Sequence, residues 1–401
     1  MGKKIFFILI LFLFSFYSWS LEDLSVHGFI SQGFMKSDKN NYLTNSSNGS
    51  YEFMETGINF NKALNDKTYI GLQIFARDLG DQGNNKFVLD WGFADYSIDS
   101  YSGIRIGKFK RTLGLYNVER DVDLLRNVIL LPQSVYDEGM RPFMNSSQGI
   151  EFYKNNYTKN KGNFEFQIHS GTVNVPSDSS YLKSVVGTLT KSGLRLSDFS
   201  ETIYSDTSLG LKWSTPVDGL TTAFSYGTSD GDIIASVDAT ALRVTAIPAL
   251  VAAANLLEAS KQKFNVDFGK ISTASIEYKW DEYTFSYERY RFDASLVIPV
   301  LNLTESMQNL GYYSMISKQI NDKTALSIYS SDFYKNKDIR DDPSLYQKDF
   351  CISLRFDIDE NLLFKAEYHD MEGYYHCYDF LNPSGYSKDW NFIALKITVS
   401  F

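Results

Sequence analysis

From Leu24 to Phe401 the chain keeps returning to one pattern, in which apolar and polar residues alternate with a period of two. In the last such run Ile393, Leu395, Ile397, Val399 and Phe401 alternate with Lys396, Thr398 and Ser400. Near the start, Ile70, Leu72, Ile74 and Ala76 share one face, and Gln73 and Arg77 fall on the other. Successive side chains of a strand point to opposite faces, so this pattern builds a sheet with one oily and one polar side. About sixteen such runs can be placed, an even number as closed single-chain bacterial barrels require. The fold class read from this is all-β, a transmembrane antiparallel β-barrel. No run approaches the ~18 consecutive apolar residues of a membrane-crossing helix once the first 20 residues are set aside.

The connections between the runs sort by position. Even-numbered ones are tight and turn-like: Ala63-Leu64-Asn65-Asp66, Pro216-Val217-Asp218-Gly219, Asp281-Glu282, Asn321-Asp322-Lys323 and Asp359-Glu360-Asn361. Odd-numbered ones are wider, the longest being 111–146, Thr172 to Tyr204, and 230–263. Strands that cross a membrane repeatedly, with short turns on one side and long loops on the other, give this asymmetry. Within 230–263 an Ala-rich stretch, Ala235 to Lys261, is helix-compatible and interrupted at Pro248.

The first residues read as an export signal. Lys3 and Lys4 precede the apolar run Ile5 to Phe16, and Ser18-Trp19-Ser20 supplies small residues for cleavage. Residues 1–20 are therefore expected to be a signal peptide and 21–401 a single barrel domain. Removing Lys3 and Lys4 takes the formal charge from −9 to −11, which argues against nucleic acid as a partner. The 27 Tyr and 30 Phe suit the aromatic girdles of an outer-membrane barrel. Cys351 and Cys377 allow one disulfide in an oxidising compartment but do not make a framework.

A barrel of about sixteen strands is too wide for side chains to fill, so its polar face should line water and its apolar face should meet lipid. The lumen-lining set predicted by parity is Asp90, Lys212, Glu277, Lys279, Arg355, Lys365, Glu367 and Lys396. In the fourth run Phe87, Leu89, Trp91 and Phe93 read as one face, with Asp90 opposite.

One segment follows neither period. After the strand Gly103 to Lys110 the chain reads RTLGLYNVERDVDLLRNVILLPQSVYDEGMRPFMNSS. A long, charged, irregular connection inside a regular framework is usually functional. The expectation is a loop, 111–146, that folds into the barrel mouth and narrows it. Lys108, Lys110, Arg111, Arg120 and Arg126 are the candidate basic wall of this constriction, and Glu119, Asp121 and Asp123 the acidic one. Opposed charges would set a transverse field that sorts solutes.

The leader, the loop parity, the long connection after the fifth strand and the terminal ITVSF together resemble the trimeric general porins of Gram-negative outer membranes. The run GKFKRTLGLYNVERDVD followed by ILLPQSVY looks like the strand and constriction loop of porin-like proteins. The mixed charge of this loop departs from the short acidic signature of the best-known general porins. The resemblance implies an outer-membrane location, a homotrimer, and assembly through a C-terminal strand ending in Phe401 that the barrel-assembly machinery reads. It implies passive diffusion of small hydrophilic solutes and ions, with outer-membrane lipid around the barrel. An alternative is a substrate-selective channel for anions or organic acids, and a second is an outer-membrane adhesin or enzyme. His27, His169, His369 and His376 show no zinc-like spacing, and no catalytic constellation emerges. The chain is thus expected to have no enzymatic role, no metal and no cofactor.

Overall fold

The computed structural model describes residues 24–401, apart from 159, 177–178, 180–182, 184–189, 191–193, 199–201, 246 and 299–301. The expected leader, 1–20, lies outside the described residues. In chain order the strands are β1 (Ser25–Ser37), β2 (Phe53–Asn65), β3 (Thr68–Leu79), β4 (Val88–Ser97), β5 (Ser102–Lys110), β6 (Ser146–Thr158), β7 (Gly162–Val175), β8 (Arg195–Ser197) and β9 (Thr202–Ser214). They continue with β10 (Leu220–Asp238), β11 (Gln262–Trp280), β12 (Tyr283–Ile298), β13 (Leu303–Asn321), β14 (Thr324–Tyr334), β15 (Tyr346–Asp357), β16 (Leu362–Gly373) and β17 (Asp389–Ser400). Each pairs antiparallel with its chain neighbour, except that β7 meets β9 directly and the short β8 rests on the far end of β10. β1 pairs with β17, closing sixteen strands into a barrel.

The faces are inverted relative to a soluble barrel. Ile106 and Ile150, partners across β5 and β6, are 59% and 56% exposed on the outside. Ile30, Ile58, Ile74, Leu211, Ile276, Ile352 and Ile397 are likewise exposed. Inside, Lys365 and Lys396 are 0% and 1% exposed, and Glu55, Glu288 and Glu367 are buried beside serines and threonines. Oily residues outward and charges inward suit a wall that faces hydrocarbon.

The interior is fuller than parity alone predicts. Tyr290, Phe292, Tyr313, Tyr329 and Phe333 point inward from β12 to β14. They pack with Leu113, Val128, Leu131, Val135, Tyr136, Phe143 and Met144 from the β5–β6 connection. The polar face therefore lines water only in part: much of it is covered by this connection.

Two local expectations are corrected. In β4 the register slips between Gln73 and Ile74, whose partners are Trp91 and Leu89. This bulge at Asp90 leaves Leu89 outside, turns Asp90 inward to Gln73, and puts Phe93 under the Arg105 guanidinium. In 230–263 much of the expected loop is strand, because β10 runs to Asp238 and β11 starts at Gln262. Ile233, Ala235 and Val237 alternate inward and bury, so pairing overrides the helix propensity of the alanines. Helices occupy the remainder: α2 (Thr240–Val244) and α3 (Pro248–Glu258), after the one-turn α1 (Arg141–Met144). Pro248 starts α3, where its missing N–H costs nothing.

Candidate functional site

The segment Arg111–Asn145 leaves β5 and turns inside the ring. Leu115 N–H donates to Glu288 of β12 at 2.8 Å, and Tyr116 Oη donates to Glu277 of β11 at 2.8 Å. Ser134 Oγ donates to the Tyr312 carbonyl of β13 at 3.1 Å. Arg355 of β15 reaches the Leu124 carbonyl at 2.6 Å, and Lys365 of β16 reaches the Asp123 carbonyl at 2.7 Å. Glu367 of β16 accepts from the backbone N–H of Ile129 at 2.6 Å and of Leu130 at 3.2 Å. A segment rooted at β5 that touches β11 to β16 has to cross the lumen. Its path needs a left-handed residue at Gly114 (φ 62°) and a bare wall at Gly311, where the Ser134 carbonyl lies against the strand and blocks any Cβ.

Charge fixes the loop in place. Asp121 is held by Lys110 and Arg141, and Lys110 also meets Asp90 at 2.5 Å. Glu138 lies between Arg77 at 2.7 Å and Arg120 at 2.8 Å. Asp123 meets Lys365 at 3.0 Å, Arg126 at 3.2 Å and Lys396 at 3.5 Å, and accepts from Thr398 at 2.6 Å. Lys396 in turn bonds Glu55 at 2.6 Å. Arg111 bonds Asp206 at 2.8 Å, and Asp206 bonds His169 at 2.7 Å. Burial alone would raise the loop carboxyls. For Asp123 the charges of Lys365, Lys396 and Arg126 outweigh it and hold the group well below the usual carboxylate range. Arg141 and Lys110 do the same for Asp121, and Arg120 and Arg77 for Glu138.

This geometry corrects the expected constriction. Lys110, Arg111, Arg120, Asp121, Asp123 and Arg126 come together around the loop, but as contact pairs rather than as facing walls. Lys108 stands apart, its ammonium taken by the Leu89 carbonyl at 2.7 Å. Glu119 is exposed, and so are Val118 and Leu125, at 51% and 61%. Of the parity-based set, Asp90, Glu277, Arg355, Lys365, Glu367 and Lys396 all touch the loop. Lys212 faces inward opposite Glu165 and is partly exposed. Lys279 is exposed beside Glu277.

Three anchors escaped the sequence. Glu288 sits at inward parity between Ser286 and Tyr290, so alternation carried its signal. Asp206 had the same signal in β9, while Glu138, inside the irregular loop, had none. Cys351 and Cys377 are buried and free, and form no disulfide.

No family model matches the sequence. No characterised relative matches it in sequence either. Solved structures do match in shape. The outer-membrane expressed OmpT of Vibrio cholerae superposes with a TM-score of 0.58 at 9% identity, over 94% of this chain and 97% of that one. The trimer form of in-vitro folded OmpT from the same organism gives 0.53 at 9% identity, over 94% and 99%. The outer membrane channel DcaP of Acinetobacter baumannii gives 0.53 at 10% identity, over 94% and 97%. At these identities what is shared is the fold.

Proposed function

We propose that this porin-like outer-membrane barrel is a channel for passive diffusion of small hydrophilic solutes and ions across the outer membrane of a Gram-negative bacterium. The observation that carries this reading is the inverted wall together with a loop tied across the lumen by ion pairs. A filled barrel needs no such loop, and an anchor needs no charged interior. The residues at the constriction are Lys110, at the end of β5, and Arg111, Glu119, Arg120, Asp121, Asp123 and Arg126 of the loop. In this reading all but Glu119 set its width by holding the loop, and Glu119 sets its field. On the same reading solutes pass the exposed Val118, Glu119 and Leu125 of the loop.

A selective anion channel needs unneutralised arginines along the path. Here Arg77, Arg111, Arg120, Arg126 and Arg141 each meet a carboxylate, and Arg105 sits between Asp95 and Glu151, both at 2.9 Å. That favours general diffusion. The trimer form of the Vibrio cholerae protein supports a homotrimer.

Planar-bilayer recording and liposome swelling test the proposal. Stepwise conductance and entry of small sugars are expected, and Glu119→Lys should move the reversal potential toward anions. Folded protein that leaves vesicles sealed to ions and sugars overturns it.

A further inference from the structure

We infer that Cys351, Glu367 and His369 form a binding site for a divalent transition metal, with zinc the ion their chemistry suits best. Cys351 of β15 and His369 of β16 are direct cross-strand partners, and Glu367 lies two residues before His369 on the same inward face. All three are buried, Cys351 and His369 completely. Their donor atoms lie within 4.8 Å of one another. Cys351 Sγ is 3.7 Å from His369 Nε2, and Nε2 is 3.2 Å from Glu367 Oε2. Ideal zinc bond lengths at tetrahedral angles place sulfur and nitrogen about 3.6 Å apart, and nitrogen and oxygen about 3.4 Å apart.

The surroundings orient the set. His369 Nδ1 faces both oxygens of Asp349, at 3.0 and 3.1 Å, and Asp349 is fixed by Tyr329 Oη at 2.9 Å. A carboxylate behind the imidazole is the usual support of a metal-bound histidine, and it turns the Nε2 lone pair toward the site. The ring is stacked on Phe392 at 3.9 Å and 10°, so it does not rotate away. Two lone pairs, on Nε2 and Glu367, then face each other and require a cation or a proton between them. Thiolate, imidazole and carboxylate together select zinc over calcium or magnesium. Binding releases the Cys351 thiol proton to solvent. Glu367 also holds the backbone of Ile129 and Leu130, so an ion here would brace the point where the loop meets the wall.

The test uses the full-length barrel refolded in detergent with zinc or cobalt, then dialysed and checked for folding by its heat-modifiable mobility. One metal per folded chain by elemental analysis is expected. With a water as fourth ligand beside Cys351, Glu367 and His369, the cobalt form should show tetrahedral visible bands and a thiolate charge-transfer band. Cys351→Ser should abolish the charge-transfer band, and Cys377→Ser should leave it. A folded wild-type barrel that retains no metal overturns the inference and assigns the contact to a shared proton. So does an unchanged cobalt spectrum in Cys351→Ser. Wild-type metal content decides the matter even if a variant does not fold, and it is independent of whether the barrel conducts.

Discussion

Single residues set how firmly the loop is held. Lys365 is the sharpest case, because its ammonium is wholly buried and donates to both the carbonyl and the carboxylate of Asp123. Removing one partner of a buried pair strands the other charge, at a cost of about 3–5 kcal/mol. Asp123 keeps Arg126 at 3.2 Å and Lys396 at 3.5 Å, so Lys365→Ala should lower stability by less than that in urea titrations followed by tryptophan fluorescence, and raise single-channel conductance. Acid should act on the same contacts. Asp121, Asp123 and Glu138 are all held below the ordinary carboxylate range, so their stabilisation is complete above the unfolded value of about 4 and declines as pH falls below it. The stability these three carboxylates supply should hold constant above about pH 5 and fall as pH drops below about 4, read as the urea midpoint against pH; a contribution from them that grows on acidification would contradict these anchors. The sequence displayed both signs of charge in the loop. It did not display that Asp123 would meet a lysine on β16, since nothing local encodes a contact across the ring.

At the level of elements, alternation was readable because a wall with oil on one side and charge on the other tolerates few exceptions. All sixteen barrel strands correspond to runs placed in the sequence, although β5 and β13 do not alternate cleanly. Boundaries failed where pairing competed with propensity, as in the β10 extension through Ile233, Ala235 and Val237. The β4 face failed because one extra residue at Asp90 inverts the parity beyond it, and a bulge has no compositional mark there. The wall makes a direct prediction. Ile352→Arg places a charge on the outward face of β15 and should cost about 2–4 kcal/mol in lipid, read as a shift in the urea midpoint. Lys212→Ala, on the inward face, should leave that midpoint nearly unchanged.

The whole molecule depends on one seam. β1 and β17 pair from Phe29 and Ser400 to Ser37 and Phe392, and the chain end completes the join. Gly28 N–H donates to the Phe401 carbonyl at 3.0 Å, and Phe401 N–H donates to Gly28 at 2.9 Å. Deleting Phe401 removes both bonds, worth about 1–3 kcal/mol together. It should slow assembly into vesicles, measured as the rate at which the heat-modifiable band appears.

That seam has a mechanical meaning. An open sheet can peel from its outermost strand, one row of bonds at a time, but a hoop has no outermost strand. Unravelling has to tear the first gap anywhere against intact neighbours on both sides, so the protein should outlast heat and denaturant for times set by how rarely such a tear begins.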